Sequence, residues 1–145
     1  MEPKYIKGNR IFDNRGSLRF SNELSFKSIK RFYTVHNYNS GFIRAWHGHL
    51  NEEKYIGCIK GTFQVAAVKI NNLKKPNKKN KIFNFFLNQS SSDFVHVPKG
   101  YANGSMSLEE NSELLIFSTS SLEESLKDDF RYKADYWNPW KIIQR

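Results

Sequence analysis

Cysteine is almost absent from this chain: Cys58 is the only one in 145 residues. No intrachain disulfide can form, which excludes the stapled, loop-rich folds of small secreted domains. Long apolar runs are missing as well, and none approaches the ~18 residues of a membrane-crossing helix. The opening stretch, Met1–Arg10, holds no apolar signal-peptide core. A cytoplasmic location and no membrane partner are the resulting expectations. Acidic residues are few: 14 Asp and Glu stand against 23 Lys and Arg, a formal charge of +9. Such a balance favours anionic partners, phosphates and nucleotides among them.

Hydrophobic residues make up 39% of the chain and aromatics 15%, enough for a packed core rather than a disordered chain. With no internal repeat and no linker, residues 1–145 read as a single domain. The densest positive run is Lys74, Lys75, Lys78, Lys79 and Lys81, around Pro76. It reads as a solvated loop between two strands. No aromatic residue interleaves with it, so base stacking and a nucleic-acid partner are not expected.

Short strands dominate the pattern. Tyr55 to Ile59, Lys60-Gly61 and Thr62 to Ile70 read as a hairpin, with Gly61 supplying the positive φ of a tight turn. Ile82 to Leu87 is a further apolar run. Phe94 to Val97 ends at the turn signal Pro98-Lys99-Gly100. Met106 to Leu108 and Leu114 to Thr119 form another pair about Glu109-Glu110-Asn111. Lys30 to Asn37 and Phe42 to His47 flank Asn39-Ser40-Gly41. Asp13-Asn14-Arg15-Gly16 is a turn before Ser17 to Phe20. Only Ser121 to Phe130 reads as helical. Many short strands with regular turns predict an all-β sandwich or barrel, and a small barrel can hold one ligand.

The chemistry concentrates in Gly41–Gly61, GFIRAWHGHLNEEKYIGCIKG. His47 and His49 are two apart, so on a strand both imidazoles face one side. Arg44 precedes them, and Glu53 and Lys54 follow. Charged and imidazole groups converging inside a barrel are costly unless a ligand or a polar network satisfies them. Two chemistries fit. His47, His49 and Glu53 have the spacing of a metal-binding cupin motif. The matching second motif, Pro98-Lys99-Gly100-Tyr101-Ala102, leads to Asn103 where an imidazole ligand would stand. The other chemistry is proton transfer. A neutral imidazole can take a proton made acidic by an adjacent ketone, while Lys54 or an arginine stabilises the enolate. Arg15 and Arg44 are candidates for a diphosphate.

Several blocks carry a family likeness. Asp13-Asn14-Arg15-Gly16-Ser17-Leu18, Ile29-Lys30-Arg31-Phe32-Tyr33 and Arg44-Ala45-Trp46-His47-Gly48-His49 resemble the 3,4-ketoisomerases that act on dTDP-4-keto-6-deoxyglucose. Glu53-Lys54-Tyr55, Val97-Pro98-Lys99-Gly100-Tyr101-Ala102 and Trp137-Asn138-Pro139 are similar to the dTDP-4-dehydrorhamnose 3,5-epimerases. The resemblance implies a cupin-type jelly-roll barrel with a short C-terminal helical segment, and homodimers that exchange N-terminal strands. It implies a nucleotide sugar as ligand, no cofactor, and a place in surface-polysaccharide sugar biosynthesis.

Residue roles follow from the same resemblance. His47 stands where both families keep the catalytic histidine, and His49 matches the second histidine of the ketoisomerases. Arg44 and Lys54 stand at substrate-contacting positions, and Arg15 where the epimerases bind the nucleotide diphosphate. The epimerases' tyrosine acid aligns with Phe117, or with Ile116 if the register slips by one. Asn103 replaces their second active-site histidine. Their histidine-orienting aspartate falls near Asn138, with Asp135 close by. The expected catalytic set is His47, His49, Lys54 and Asp135. The expected substrate-binding set is Arg15, Tyr33, Arg44, Tyr101, Asn103 and Phe117. An epimerase, a ketoisomerase, a non-catalytic sugar-nucleotide-binding cupin and a metal-dependent cupin enzyme stand as the alternatives. Trp46, Trp137 and Trp140 read as packing residues, His36 and His96 as structural or exposed, and Cys58 as a small hydrophobe.

Overall fold

Burial alternates residue by residue along Ser112–Ser118, the period of two expected of a strand with one face in a core. The computed structural model describes residues 1–145. Its strands are β1 (Lys4–Ile6), β2 (Asn9–Asp13), β3 (Gly16–Phe20), β4 (Arg31–Asn37), β5 (Ile43–His49) and β6 (Lys54–Lys60). There follow β7 (Thr62–Lys69), β8 (Ile82–Asn88), β9 (Phe94–Val97), β10 (Tyr101–Ser107), β11 (Ser112–Ser118), helix α1 (Leu122–Leu126) and β12 (Phe130–Arg131). One antiparallel sheet has the order β1-β9-β6-β11-β4, the other β12-β5-β10-β7-β8, and β2-β3 is a separate hairpin. The two sheets face each other as a cupin-type jelly-roll barrel. No helix is long and apolar enough to cross a membrane.

The strand runs expected from the sequence are present, but their partners differ. The Tyr55–Ile70 stretch is not a hairpin: β6 lies in one sheet and β7 in the other. β10 and β11 part in the same way about Asn111 (φ 52°), as do β4 and β5 about Gly41. β6 and β7 are buried along most of their length, so each needs a strand on both sides. Distant strands supply them, β9 and β11 for β6, and β8 and β10 for β7. Gly61 makes the corner at φ 76°, where a Cβ would lie 2.1 Å from Ser112 Oγ.

The helix is also shorter than the expected Ser121–Phe130. Ser121 caps it with a capping box to Glu124, and it ends at Lys127. Asp128 then turns back toward the loop after β5, and β12 joins the edge of that strand, pairing Phe130 with Gly48 and Arg131 with His47.

Two cores result. Between the sheets lie Ile56, Phe63, Val65, Leu87, Val95, Leu114 and their neighbours. Behind β5, Trp46 is fully buried against Trp137 and Trp140, with ring centroids 5.3 and 5.2 Å away. Its indole Nε1 donates to the carbonyls of Ala134 and Trp137. The same C-terminal segment clasps the lysine-rich loop: Tyr132, Tyr136 and Trp137 donate to the carbonyls of Leu73, Pro76 and Asn77. That loop is thus an ordered connection between β7 and β8.

Candidate active site

Arg44 and His47 are three apart, a spacing that puts residues of a regular strand on opposite faces. A bulge removes the conflict. On β10, Asn103 pairs with His47 and Ser105 with Arg44, so Ala45 and Trp46 share the single partner Gly104. Gly104 is needed there, since a Cβ would lie 2.6 Å from Ala45 Cβ and 3.0 Å from Trp140. The bulge turns Trp46 outward and brings Arg44, His47 and His49 to one wall of a cavity of about 400 Å³ between the sheets.

Asn103 and Ser105 from β10 extend that wall. Opposite stand Tyr33, Lys54, Leu114 and Ile116, with Arg31 beside them. Helix α1 and the segment after it close one side with Ser125, Asp129 and Arg131, and place Leu122 and Leu126, both largely exposed, at the mouth. Four cations, Arg31, Arg44, Lys54 and Arg131, therefore line the cavity against the single carboxylate of Asp129. Asp129 is itself paired to Arg131, whose Nε lies 3.0 Å away and holds its carboxyl below the usual range. Lys54 is buried and in no ion pair; its Nζ lies 5.8 Å from the centre of the Tyr33 ring. The cavity is built for an anion.

The two histidines are held differently. His49 Nδ1 is 2.5 Å from the Asp128 carbonyl oxygen. A carbonyl only accepts, so the proton sits on Nδ1 and Nε2 presents a lone pair. Nε2 is buried with no hydrogen-bond partner. Burial first, and Lys54 second, lower the His49 pKa below its ordinary value. His47 is pushed down to about 4, by burial first and then by Lys54 and Arg131, with Asp129 opposing. Both imidazoles are neutral near pH 7 and able to accept a proton.

Asp128 does structural work around them. Its carboxylate accepts from the backbone N–H groups of Leu50, Asn51 and Glu52 at 2.7, 2.9 and 2.9 Å, fixing the turn that carries the chain from His49 to Lys54. Arg44 donates from Nε to Asn37 Oδ1 at 2.8 Å. Asn103 donates from Nδ2 to the His47 carbonyl at 3.2 Å.

Of the residues expected from the sequence, His47, His49, Lys54, Arg44, Tyr33 and Asn103 meet in this cavity. Four do not. Asp135 is exposed on the segment that leads to Trp137, and the carboxylates near the histidines are Asp128, Asp129 and Glu52. Phe117 has the wrong parity on β11: it faces outward into a second, apolar cavity of about 260 Å³ against Phe26 and Phe94, while Ile116 faces the histidines. Tyr101 shares the inward face of β10 but fills the core between the sheets, edge-on to Phe83. Arg15 sits at the tip of the β2–β3 hairpin, 86% exposed and paired with Asp13. Glu53, the third member of the metal-type spacing, turns away from the two histidines and lies 2.7 Å from His96 Nε2.

Arg31, Asp128, Asp129, Arg131 and Glu52 complete the site without having been expected there. Arg31 belongs to the family-like block Ile29–Tyr33, and its spacing of two from Tyr33 is a usable signal. Asp128 and Asp129 were masked by an over-long helix, Arg131 lay just past its expected end, and Glu52 was masked by a neighbouring glutamate.

A family model described as "WxcM-like, C-terminal" (FdtA) matches residues 1–139. No curated protein matches the chain. Among solved structures, dTDP-4-dehydrorhamnose 3,5-epimerase from Bacillus anthracis str. Ames, with TDP and PPi bound, is similar at TM-score 0.77 and 18% identity, over 98% of this chain and 86% of that one. The sugar 3,4-ketoisomerase QdtA from Thermoanaerobacterium thermosaccharolyticum, in complex with TDP, gives TM-score 0.70 and 20% identity over 93% and 91%. The TDP-quinovose 3,4-ketoisomerase WlaRB from Campylobacter jejuni gives 0.69 and 21% over 92% and 95%. At these identities the likeness establishes the fold.

Proposed function

The chain belongs to the WxcM-like, C-terminal family, and from that premise we propose that it isomerises a nucleotide-linked 4-keto-6-deoxyhexose, with thymidine diphosphate as carrier. The observation that carries this reading is the pair of neutral imidazoles in a cationic cavity, one of them with a bare, buried Nε2. Proteins of the same fold that hold TDP support the nucleotide. Arg44 and Arg131, both exposed at the cavity rim, are the groups placed to meet its diphosphate.

The reaction the site serves best is migration of the ketone from C4 to C3. A base removes the proton on C3. The C–H electrons form the C3=C4 double bond, and the C4 carbonyl becomes an enolate oxygen. Lys54 and Arg31 provide the positive charge that stabilises it. The C3 hydroxyl then loses its proton to become the new carbonyl, the C4 oxygen takes up a proton to become a hydroxyl, and a second proton is delivered to C4. Nothing is oxidised or reduced overall, and no cofactor enters. Two proton carriers are needed on one face of the sugar, one for carbon and one for oxygen, and His47 and His49 share one wall.

A second reading, epimerisation, is favoured by Tyr33, the one phenol lining the opposite wall, which could protonate the enolate from the other face. Ile116, in the place nearest the epimerase tyrosine, has no proton to give. In either case the products feed surface-polysaccharide assembly, and the protein works in the cytoplasm as a homodimer exchanging N-terminal strands. The β2–β3 hairpin, which presents Ile11, Phe12 and Leu18 to solvent, is the element suited to reach a second copy and bring Arg15 to its cavity.

The test is product identity. TDP-4-keto-6-deoxyglucose is incubated with the protein and followed by proton NMR. A 3-keto product that is lost in His47→Asn and in His49→Asn supports ketone migration. A 4-keto sugar inverted at C3 or C5 supports epimerisation. TDP binding with no turnover would leave a sugar-nucleotide-binding protein.

A further inference from the structure

Glu52 is outside the cavity wall, and its side chain has 0% exposure. A carboxylate buried to that degree is costly unless its oxygens are satisfied. Here each oxygen has its own partners. Oε2 accepts from Ser118 Oγ at 2.5 Å and lies 3.5 Å from Arg31 Nη2. Oε1 accepts from Ser125 Oγ of α1 at 2.7 Å and lies 3.5 Å from His49 Nδ1. The Glu52 backbone N–H is tied to Asp128, whose own carbonyl holds the His49 proton. The carboxylate thus stands behind the imidazole, on the side away from Nε2.

We propose that Glu52 is a positioning residue for His49: standing behind the Nδ1–H that the Asp128 carbonyl holds, it stabilises the imidazolium that forms when Nε2 takes a proton from the sugar. The assignment rests on the reading of His49 as a proton carrier. A neutral ring between a carboxylate and a substrate gains basicity as the positive charge develops, while the tautomer stays fixed. Through Ser125 the same carboxylate fastens α1, which bears Leu122 and Leu126 at the cavity mouth, so the base and the cover over it share one anchor.

Other groups act on His49 too. Lys54 from β6 opposes its protonation; the Asp128 carbonyl and, more weakly, Glu52 and the Asp128 carboxylate favour it. His47 is on its own strand, Tyr101 is its register partner on β10, Arg31 lies beyond Glu52, and Asp129 and Arg131 face the cavity. All of these remain in Glu52→Gln, so a change in that variant reports the carboxylate.

The experiment is nitrogen NMR of protein labelled at histidine, which reads tautomer and titration with no need for turnover. In Glu52→Gln, the His49 pKa should drop below the parent's, while the Asp128 carbonyl keeps the proton on Nδ1. On substrate, kcat should fall about 10- to 100-fold, with the Kd for TDP within about threefold. Glu52→Asp, which keeps the charge but withdraws it by one methylene, should shift the pKa the same way by less; it serves if the glutamine variant does not fold. An unchanged pKa overturns the proposal. A parent with no turnover would count against the proposed function alone, since the titration still decides the role of Glu52.

Discussion

Lys54 faces both histidines, and after burial it is the largest influence holding their pKa values down. Two consequences have opposite readouts. For catalysis, kcat/KM should show an acid limb near pH 4, where free His47 takes a proton. Replacing Lys54 by Met removes a repelling charge, so that acid limb should move to higher pH even as kcat falls through loss of enolate stabilisation. An acid limb that stays in place would contradict the assignment of the limb to His47. For stability the sign runs the other way round. The folded His47 pKa, about 4, is below the ordinary 6.5, so the unfolded chain protonates first. The stability it contributes is complete above pH 6.5 and is lost progressively as the pH falls toward about 4. His47→Gln should therefore lose less stability between pH 7 and pH 5 than the parent, measured as urea midpoints. The histidine pair was legible because period two is robust within a strand. Phe117 was misplaced for the same reason: a one-residue slip on β11 exchanges the inner face for the outer, and Ile116 and Phe117 are both apolar, so nothing in composition separated them.

The elements that shape the site are a bulge, a five-residue helix and a two-residue strand. None has a strong local signature. Ser121–Phe130 looked like one helix because Ser121 and Glu124 form a capping box, and the stop came from outside that segment. Asp128 gains three backbone donors by leaving the helix, and charge-assisted bonds of this kind outweigh one further turn of helix. Asp128→Ala should release the turn over Leu50–Glu52 and cost about 3 kcal/mol of stability, read from denaturant unfolding. A loss under about 0.5 kcal/mol would mean that water replaces the carboxylate without penalty. Turn signals, by contrast, match the structure at Gly41, Gly61 and Asn111, yet the strands beside Gly61 and Asn111, which the sequence pairs with each other, lie in different sheets. Local turn chemistry sets where the chain bends; which sheet a strand joins is decided by long-range partners such as β9 and β11 flanking β6.

At the scale of the whole molecule, the excess of positive charge and the arrangement of apolar surface point to one use. The formal charge of +9 draws anions, and the cavity repeats that bias with four cations to one carboxylate. Apolar residues left exposed on the β2–β3 hairpin, with Phe12 at 73%, are costly for a monomer and fit a strand-exchanged dimer. Phe12→Glu should move the protein toward monomer in sedimentation velocity, and Arg15→Ala should weaken TDP binding without dissociating the dimer. A parent that sediments as a monomer would contradict both. All-β architecture was evident from strand density, and the jelly roll from the order of the family-like blocks. The central claim, that this cavity enolises a keto sugar with histidine as base, is tested most directly by proton NMR of TDP-4-keto-6-deoxyglucose with the protein in deuterated water. The account predicts deuterium at the carbon beside the ketone, at a rate that collapses in His47→Ala while TDP affinity stays within about tenfold. Exchange that persists unchanged in His47→Ala, or no exchange with TDP bound, would contradict it.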